Sequence, residues 1–287
     1  MLGVVIKEQR LTTTRVAALI GLGLVAGLFS GLFGVGGGMI IVPGLVVVLR
    51  VEHKLAVGTS LMAIVPACAV GIVSYALQGP VDWIAGLVVA IGSVVGAQFG
   101  AKLLTILPRR AAQWVFVVFV VAMIVELLIV VPNRGGTMTW DVLNTICLIA
   151  LGLVAGVLSG LLGIGGGAVV VPIMMLGFGV SDLIAKSASL IMMLPAVLSG
   201  LIGNLRAHRV LVKAGLIIGL SAVVTGPVGS WFAHVLPPNV ANWCFAAYLA
   251  FVCVMMTREA LHRDPKPSAP DSPDGSGAPD LAEDAEA

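Results

Sequence analysis

The chain has 287 residues, 59% of them hydrophobic and 10% charged, with a mean hydropathy of +1.10 and 36 glycines. Soluble domains carry about 25% charged residues, so a water-solvated globular fold is excluded and the chain reads as an all-α integral membrane protein. The net charge of +2 conceals a segregation: seven of the 14 acidic residues lie in positions 264–287, which leaves residues 1–263 with a surplus of eight basic charges.

Residues 1–15 carry Lys7, Arg10 and Arg15 and are too polar for a cleaved leader; they are expected to form a cytoplasmic N-terminus. Apolar runs of spanning length follow at about 56–78, 83–106, 112–131, 185–205, 211–235 and 239–257. Two further runs, 16–49 and 143–179, are too long for one span and short for two. Each is interrupted near its middle by glycines, Gly34-Val35-Gly36-Gly37-Gly38 and Gly163-Ile164-Gly165-Gly166-Gly167, which a helix does not tolerate. The expected organisation is a first membrane repeat over 16–131, an outer connecting loop over 132–142, a second repeat over 143–260 and a disordered acidic cytoplasmic tail over 261–287.

Loop charge decides how the two long runs fold. If 16–49 crossed once, Arg50, Lys54, Lys102, Arg109 and Arg110 would lie opposite the basic N-terminus, against the positive-inside rule. If the run enters, turns at its glycines and returns, 14 basic residues gather on the inner face and only Arg134 and Lys186 remain outside. Both termini are then cytoplasmic. A re-entrant hairpin and two short full spans satisfy this pattern equally.

A shift of 129 positions aligns Leu22–Pro43 with Leu151–Pro172 without gaps, with 15 of 22 pairs identical, and the register continues through Ser60/Ser189, Pro66/Pro195 and Pro108/Pro237. Each copy holds one glycine-broken hairpin and three crossings, so the second begins on the opposite face. The expected architecture is a pair of inverted-topology repeats, an arrangement of secondary transporters whose sites lie near the midplane at the repeat interface.

A helix broken at membrane depth exposes main-chain N–H groups, and glycines let an anion approach them closely. Gly36, Gly37, Gly38, Gly165, Gly166 and Gly167 are therefore candidate substrate-binding residues, packing through small residues being the alternative. Thr59 and Ser60 in Ala56–Leu61, and Ser187 and Ser189 in Ala185–Leu190, follow the hairpins at positions where a hydroxyl can cap a helix or donate to an oxyanion. Ser30 and Ser159 read as packing residues within the hairpins. Glu126 is a candidate for proton coupling, or a residue of the outer interface. Lys186, near the outer end of its span, can snorkel or attract a departing anion, and Asn204 can bond another helix or the ligand.

Cys68, Cys147, Cys244 and Cys253 lie in apolar runs and read as small buried hydrophobes. The histidines pair with no nucleophile, so no catalytic residue, metal, cofactor or nucleic-acid partner is expected. The expected partners are a small anionic substrate and the lipid bilayer.

The stretches GLFSGLFGVGGGMIIVP and GVLSGLLGIGGGAVVVP, with AVGTSL after the first, resemble the sulfite exporter TauE/SafE family of bacterial membrane proteins over about residues 16–260. The resemblance implies export of a small sulfur-containing anion, such as sulfite or an organosulfonate, across the bacterial inner membrane. A passive anion channel fits the paired hairpins too. A sulfur-metabolism component with thiol chemistry ranks last, for want of a Cys, His or metal constellation.

Overall fold

Glycine clusters divide each long apolar run into two helices joined by a tight turn. The computed structural model describes residues 13–258, apart from 49, 80, 130–135, 137, 139, 238, 239, 241, 242, 244, 245, 248, 252, 255 and 256, and no strand occurs among the described residues. The helices are α1 (Thr13–Phe33), α2 (Gly38–Val48), α3 (His53–Gln78), α4 (Trp83–Ile106), α5 (Arg109–Ile129), α6 (Val142–Leu162), α7 (Gly167–Phe178), α8 (Asp182–Arg206) and α9 (Val212–Val235). Described residues within 240–258 are helical as well. The tail over 261–287, residues 1–12 and much of the 132–142 connection lie outside the described residues.

Among the described residues, α1, α3, α4, α6, α8 and α9 are each long and apolar enough to cross a bilayer. The protein is an all-α, multi-pass membrane protein. The two hairpins are unequal: α1 and α6 have 21 residues each, whereas α2 has 11 and α7 has 12. At about 1.5 Å per residue the first arms reach about 32 Å and the second arms only about 16–18 Å. A pair of equal short spans is therefore not what the sequence builds. Each hairpin is a full-length arm with a half-length return.

The 129-residue shift holds in the helix boundaries: the starts of α1, α2, α3 and α4 map onto those of α6, α7, α8 and α9 without offset. Glycines hold the long helices together. In lipid, helices associate through close van der Waals packing, and small residues let backbones approach. A Cβ at Gly92, Gly96 or Gly100 of α4 would strike the carbonyls of Ile149, Leu153 or Val157 of α6, while one at Gly152, Gly156 or Gly160 would strike those of Val89, Ser93 or Ala97. Gly23, Gly27 and Gly31 of α1 stand in the same way against Ile218, Ala222 and Gly226 of α9. Thr225 adds a hydrogen bond there, its Oγ1 donating to Leu24 O at 2.6 Å.

The register of these contacts fixes direction. Positions advance together along α4 and α6 and along α1 and α9, so each pair runs parallel. By contrast Gly71 of α3 meets Leu190 of α8, and Gly200 of α8 meets Leu61 of α3, so the central pair runs antiparallel. Outward from these seams, Ile84, Leu87, Ile91, Val95, Phe99 and Leu103 form an exposed apolar stripe along α4, at helical spacing and suited to lipid. Cys68 is buried as expected, but Cys147 is exposed on α6 and Cys253 is half-buried; an apolar face turned to lipid accepts a thiol as readily as a core does. Cys244 lies outside the described residues.

Candidate functional site

The polypeptide leaves α1 and α6 through turns that only glycine makes without strain. φ is +69°, +76° and +73° at Gly34, Gly36 and Gly37, and +69°, +91° and +80° at Gly163, Gly165 and Gly166. The last helical bonds of the first arms run from Gly34 N to Ser30 O and from Gly163 N to Ser159 O, both at 2.9 Å. The next main-chain N–H groups to find an acceptor are those of Ile40 and Ile41, on Gly37 O at 3.0 Å each, and of Val169 and Val170, on Gly166 O at 3.1 and 3.4 Å. Among the described residues nothing accepts from the N–H groups of Gly36, Gly37 and Gly38 or of Gly165, Gly166 and Gly167. These are the orphan donors of the α2 and α7 N-termini, where the helix dipole is positive.

The two turns lie against each other in the buried centre. A Cβ on Gly38 would strike Gly163 O and stand 2.6 Å from Ile164 Cα, and one on Gly167 would stand 2.6 Å from Gly34 O. The methyl of Met193 packs on both Gly36 and Gly165, with Ile64 Cγ2 beside it, 3.2 Å from a Cβ on Gly36. Ile64 and Met193 are themselves related by the 129-residue shift. Two helix N-termini, one from each half, thus face a common centre closed by a flexible thioether.

Each turn is docked on the other half. Ser60 Oγ lies 2.7 Å from Gly163 O and 2.8 Å from Val57 O; Ser189 Oγ lies 2.6 Å from Gly34 O and 2.7 Å from Lys186 O. Both hydroxyls have carbonyl acceptors, so in this arrangement they fasten the turns. Ser60→Ala and Ser189→Ala are each expected to lower stability by about 1 kcal/mol. Thermal unfolding in detergent tests this, and an effect at one serine without a comparable one at the other would contradict the equivalence.

Thr59 Oγ1 donates to Leu55 O at 2.7 Å and accepts from Leu211 N at 3.0 Å, which caps α9 from across the halves. Ser187 Oγ donates to Ile184 O at 2.9 Å and Asn204 Nδ2 to Gly200 O at 3.0 Å, each within its own helix. Lys186 does not snorkel: it is buried, with Nζ 3.4 Å from Asp182 Oδ2, and its Cα and Cβ lie against Gly34. Glu126 falls on α5, and its side chain lies outside the described residues. The structure therefore gathers the six glycines, Ser60, Ser189 and Lys186 at the turns. Thr59, Ser187 and Asn204 make their hydrogen bonds to other groups, not to the turns.

Met193 escaped the sequence reading. A methionine in an apolar run carries no chemical signature, and only its match to Ile64 in the shifted register could have drawn notice. Among the described residues no group of His, Cys, Asp and Glu is placed to hold a metal ion.

Comparison with known proteins adds a family. The model described as sulfite exporter TauE/SafE matches residues 3–127 and 148–279. The probable membrane transporter protein YunE of Bacillus subtilis is 28% identical over 216 residues, covering 67% of this chain and 79% of the relative. A probable membrane transporter protein of Methanocaldococcus jannaschii is 29% identical over 202 residues, 66% of this chain and 72% of the relative. The probable membrane transporter protein YdhB of Bacillus subtilis is 34% identical over 102 residues, 36% of this chain and 41% of the relative. No solved structure matches the chain.

Proposed function

The chain belongs to the sulfite exporter TauE/SafE family, and from that premise we propose that it is a secondary transporter that carries a small sulfur-containing oxyanion, sulfite or an organosulfonate, out of the cytoplasm. The observation that carries this reading is the meeting of two helix N-termini, each with unclaimed N–H groups, in the buried centre between the halves. Such termini favour negative charge without a cation, and an anion approaches them when the Met193 methyl, which fills the space beside Gly36 and Gly165, is displaced. Gly36–Gly38 and Gly165–Gly167 supply the donors. Thr59, Ser60 and Ser189 shape the surrounding shell through the elements they tie, and Ser187 belongs to the same shell on α8. Lys186, Asn204 and Glu126 are assigned to gating or coupling rather than first contact.

The halves, 16–131 and 143–260, act as inverted repeats in this account, which the antiparallel course of α3 and α8 supports. With both termini cytoplasmic in the bacterial inner membrane, Arg206, Arg209 and Lys213 belong to the inner mouth, where they concentrate anions in a salt-dependent way. An inside-negative potential of ~100 mV contributes about 2.3 kcal/mol per charge moved outward, so export of an anion proceeds without a coupled cation. The Met193 methyl against both turns favours a carrier that opens one side at a time over a standing pore.

The test is flux of labelled sulfite and of sulfoacetate from proteoliposomes under an imposed potential. Saturable efflux that grows with inside-negative potential is expected. Conductance without saturation would mark a channel, and no flux of either anion from folded protein would remove the substrate class.

A further inference from the structure

Most buried helical serines in this protein discharge their hydroxyl on a main-chain carbonyl; Ser74, 6% exposed, does not. Ser60, Ser93, Ser187, Ser189, Ser199 and Ser230, all buried, each have one within 3.0 Å. Ser30 and Ser159 depart from this habit. They are 2% and 0% exposed, and their Oγ atoms have no hydrogen-bond partner. A buried hydroxyl without a partner is costly, and the ordinary remedy, bonding back one turn along the helix, is left unused at both. The two positions are equivalent under the 129-residue shift. The same unpaid cost therefore occurs twice, at one structural place.

That place adjoins the proposed anion site. Ser30 and Ser159 stand on the last turn of α1 and α6, and their carbonyls take the final helical bond before each glycine turn. Gly37 and Gly166 fold back against the carbonyls of Ala26 and Ala155, four residues before the two serines on the same helix faces; a Cβ there would lie 2.7 and 2.6 Å away. A Cβ on Gly166 would also stand 3.4 Å from Ser159 Cβ. Each orphan hydroxyl thus belongs to the helix turn next to the one on which Gly37 or Gly166 packs, and Ser159 Cβ itself borders Gly166.

We infer that Ser30 and Ser159 are hydroxyl donors to the transported oxyanion, one from each half, and complete the shell begun by the main-chain N–H groups. This rests on the proposed function and names side chains it leaves out. The ligand chemistry is that of a small anion with several oxygens, since donors arriving from two turns and two hydroxyls need separate acceptors. In the absence of anion both hydroxyls stay unsatisfied, so binding is favoured by the bonds it supplies.

The experiment measures sulfite-dependent thermal stabilisation of the purified full chain, with sulfoacetate as a second probe, in wild type, Ser30→Ala, Ser159→Ala and the control Ser93→Ala. Without anion, the two alanine variants at the turns are expected to unfold at the wild-type temperature or slightly above it, because an unsatisfied hydroxyl has been removed. Their apparent Kd for sulfite is expected to rise about tenfold each, the size of a hydrogen bond to a charged group. Ser93→Ala should bind as wild type does. If both turn variants bind sulfite with wild-type affinity, the inference is overturned while the anion site stands. If wild type itself is stabilised by neither anion, the proposed function fails and takes the inference with it. Should an alanine variant not fold, Ser30→Cys and Ser159→Cys keep the volume with a weaker donor, and unchanged affinity there overturns the inference equally.

Discussion

Valine in place of Gly37 or Gly166 is expected to reduce anion flux by at least about 100-fold, while the long helices still assemble. Two costs coincide at these positions. Their φ values of +73° and +80° lie where a β-branched residue is strained, a cost of about 1–3 kcal/mol. The added Cβ would stand 2.7 Å from Ala26 O or 2.6 Å from Ala155 O, and relieving that overlap costs a further 1–3 kcal/mol or so. The turn can escape both only by moving, which takes the N–H groups of Gly36–Gly38 or Gly165–Gly167 off the common centre. Gly21→Ala and Gly177→Ala are the controls, since a Cβ at Gly21 meets nothing within 4 Å and one at Gly177 only Ile173 Cγ2 at 3.9 Å. Proteoliposome flux normalised to folded protein checks the set, and wild-type flux in Gly37→Val and Gly166→Val would contradict the account.

The second large effect concerns assembly. Gly96→Val or Gly156→Val is expected to prevent accumulation of folded protein, because the new side chain would meet the carbonyl of Leu153 or of Ser93 across the α4–α6 seam. Backbone cannot yield as a flexible side chain can. Separating the helices by a few tenths of an ångström along one seam forfeits packing contacts down its length. Monodispersity in size-exclusion chromatography and unfolding temperature are the measures. Gly203→Ala, whose Cβ meets only the Ala101 Cβ at 3.0 Å and Gln98 Oε1 at 4.0 Å, is expected to fold. A folded, thermally normal Gly96→Val would show that the glycine seam is not what holds α4 to α6.

Much of this was legible in the residues. The glycine runs marked the helix breaks because three consecutive glycines remove both propensity and side-chain packing, and the 129-residue register located equivalent helices to the residue. Hydropathy found the long spans. The unequal arms were countable too, since the glycines leave 18 residues of 16–49 before them and 11 after, and 20 and 12 of 143–179; what the runs do not report is which helix of the other half each arm packs on. At the site, the glycines were found by their strained turn. The serines were harder: in sequence Ser60 and Ser189 fit a helix cap and an anion donor equally, and their hydroxyls meet the opposite turn. Ser30 and Ser159 look like packing residues, yet they are the pair left without acceptors. Which hydroxyl is free depends on what the other half of the chain brings to it. Lys186 carries the same lesson: near one end of its span, it is buried beside Asp182 rather than extended to the surface.

The most direct test of the central claim is a structure of the protein determined with sulfoacetate bound. The sulfonate is expected between the two glycine turns, its oxygens accepting from N–H groups of both Gly36–Gly38 and Gly165–Gly167, with the Met193 methyl displaced. A sulfonate held away from the turns, or by one half alone, would contradict that claim.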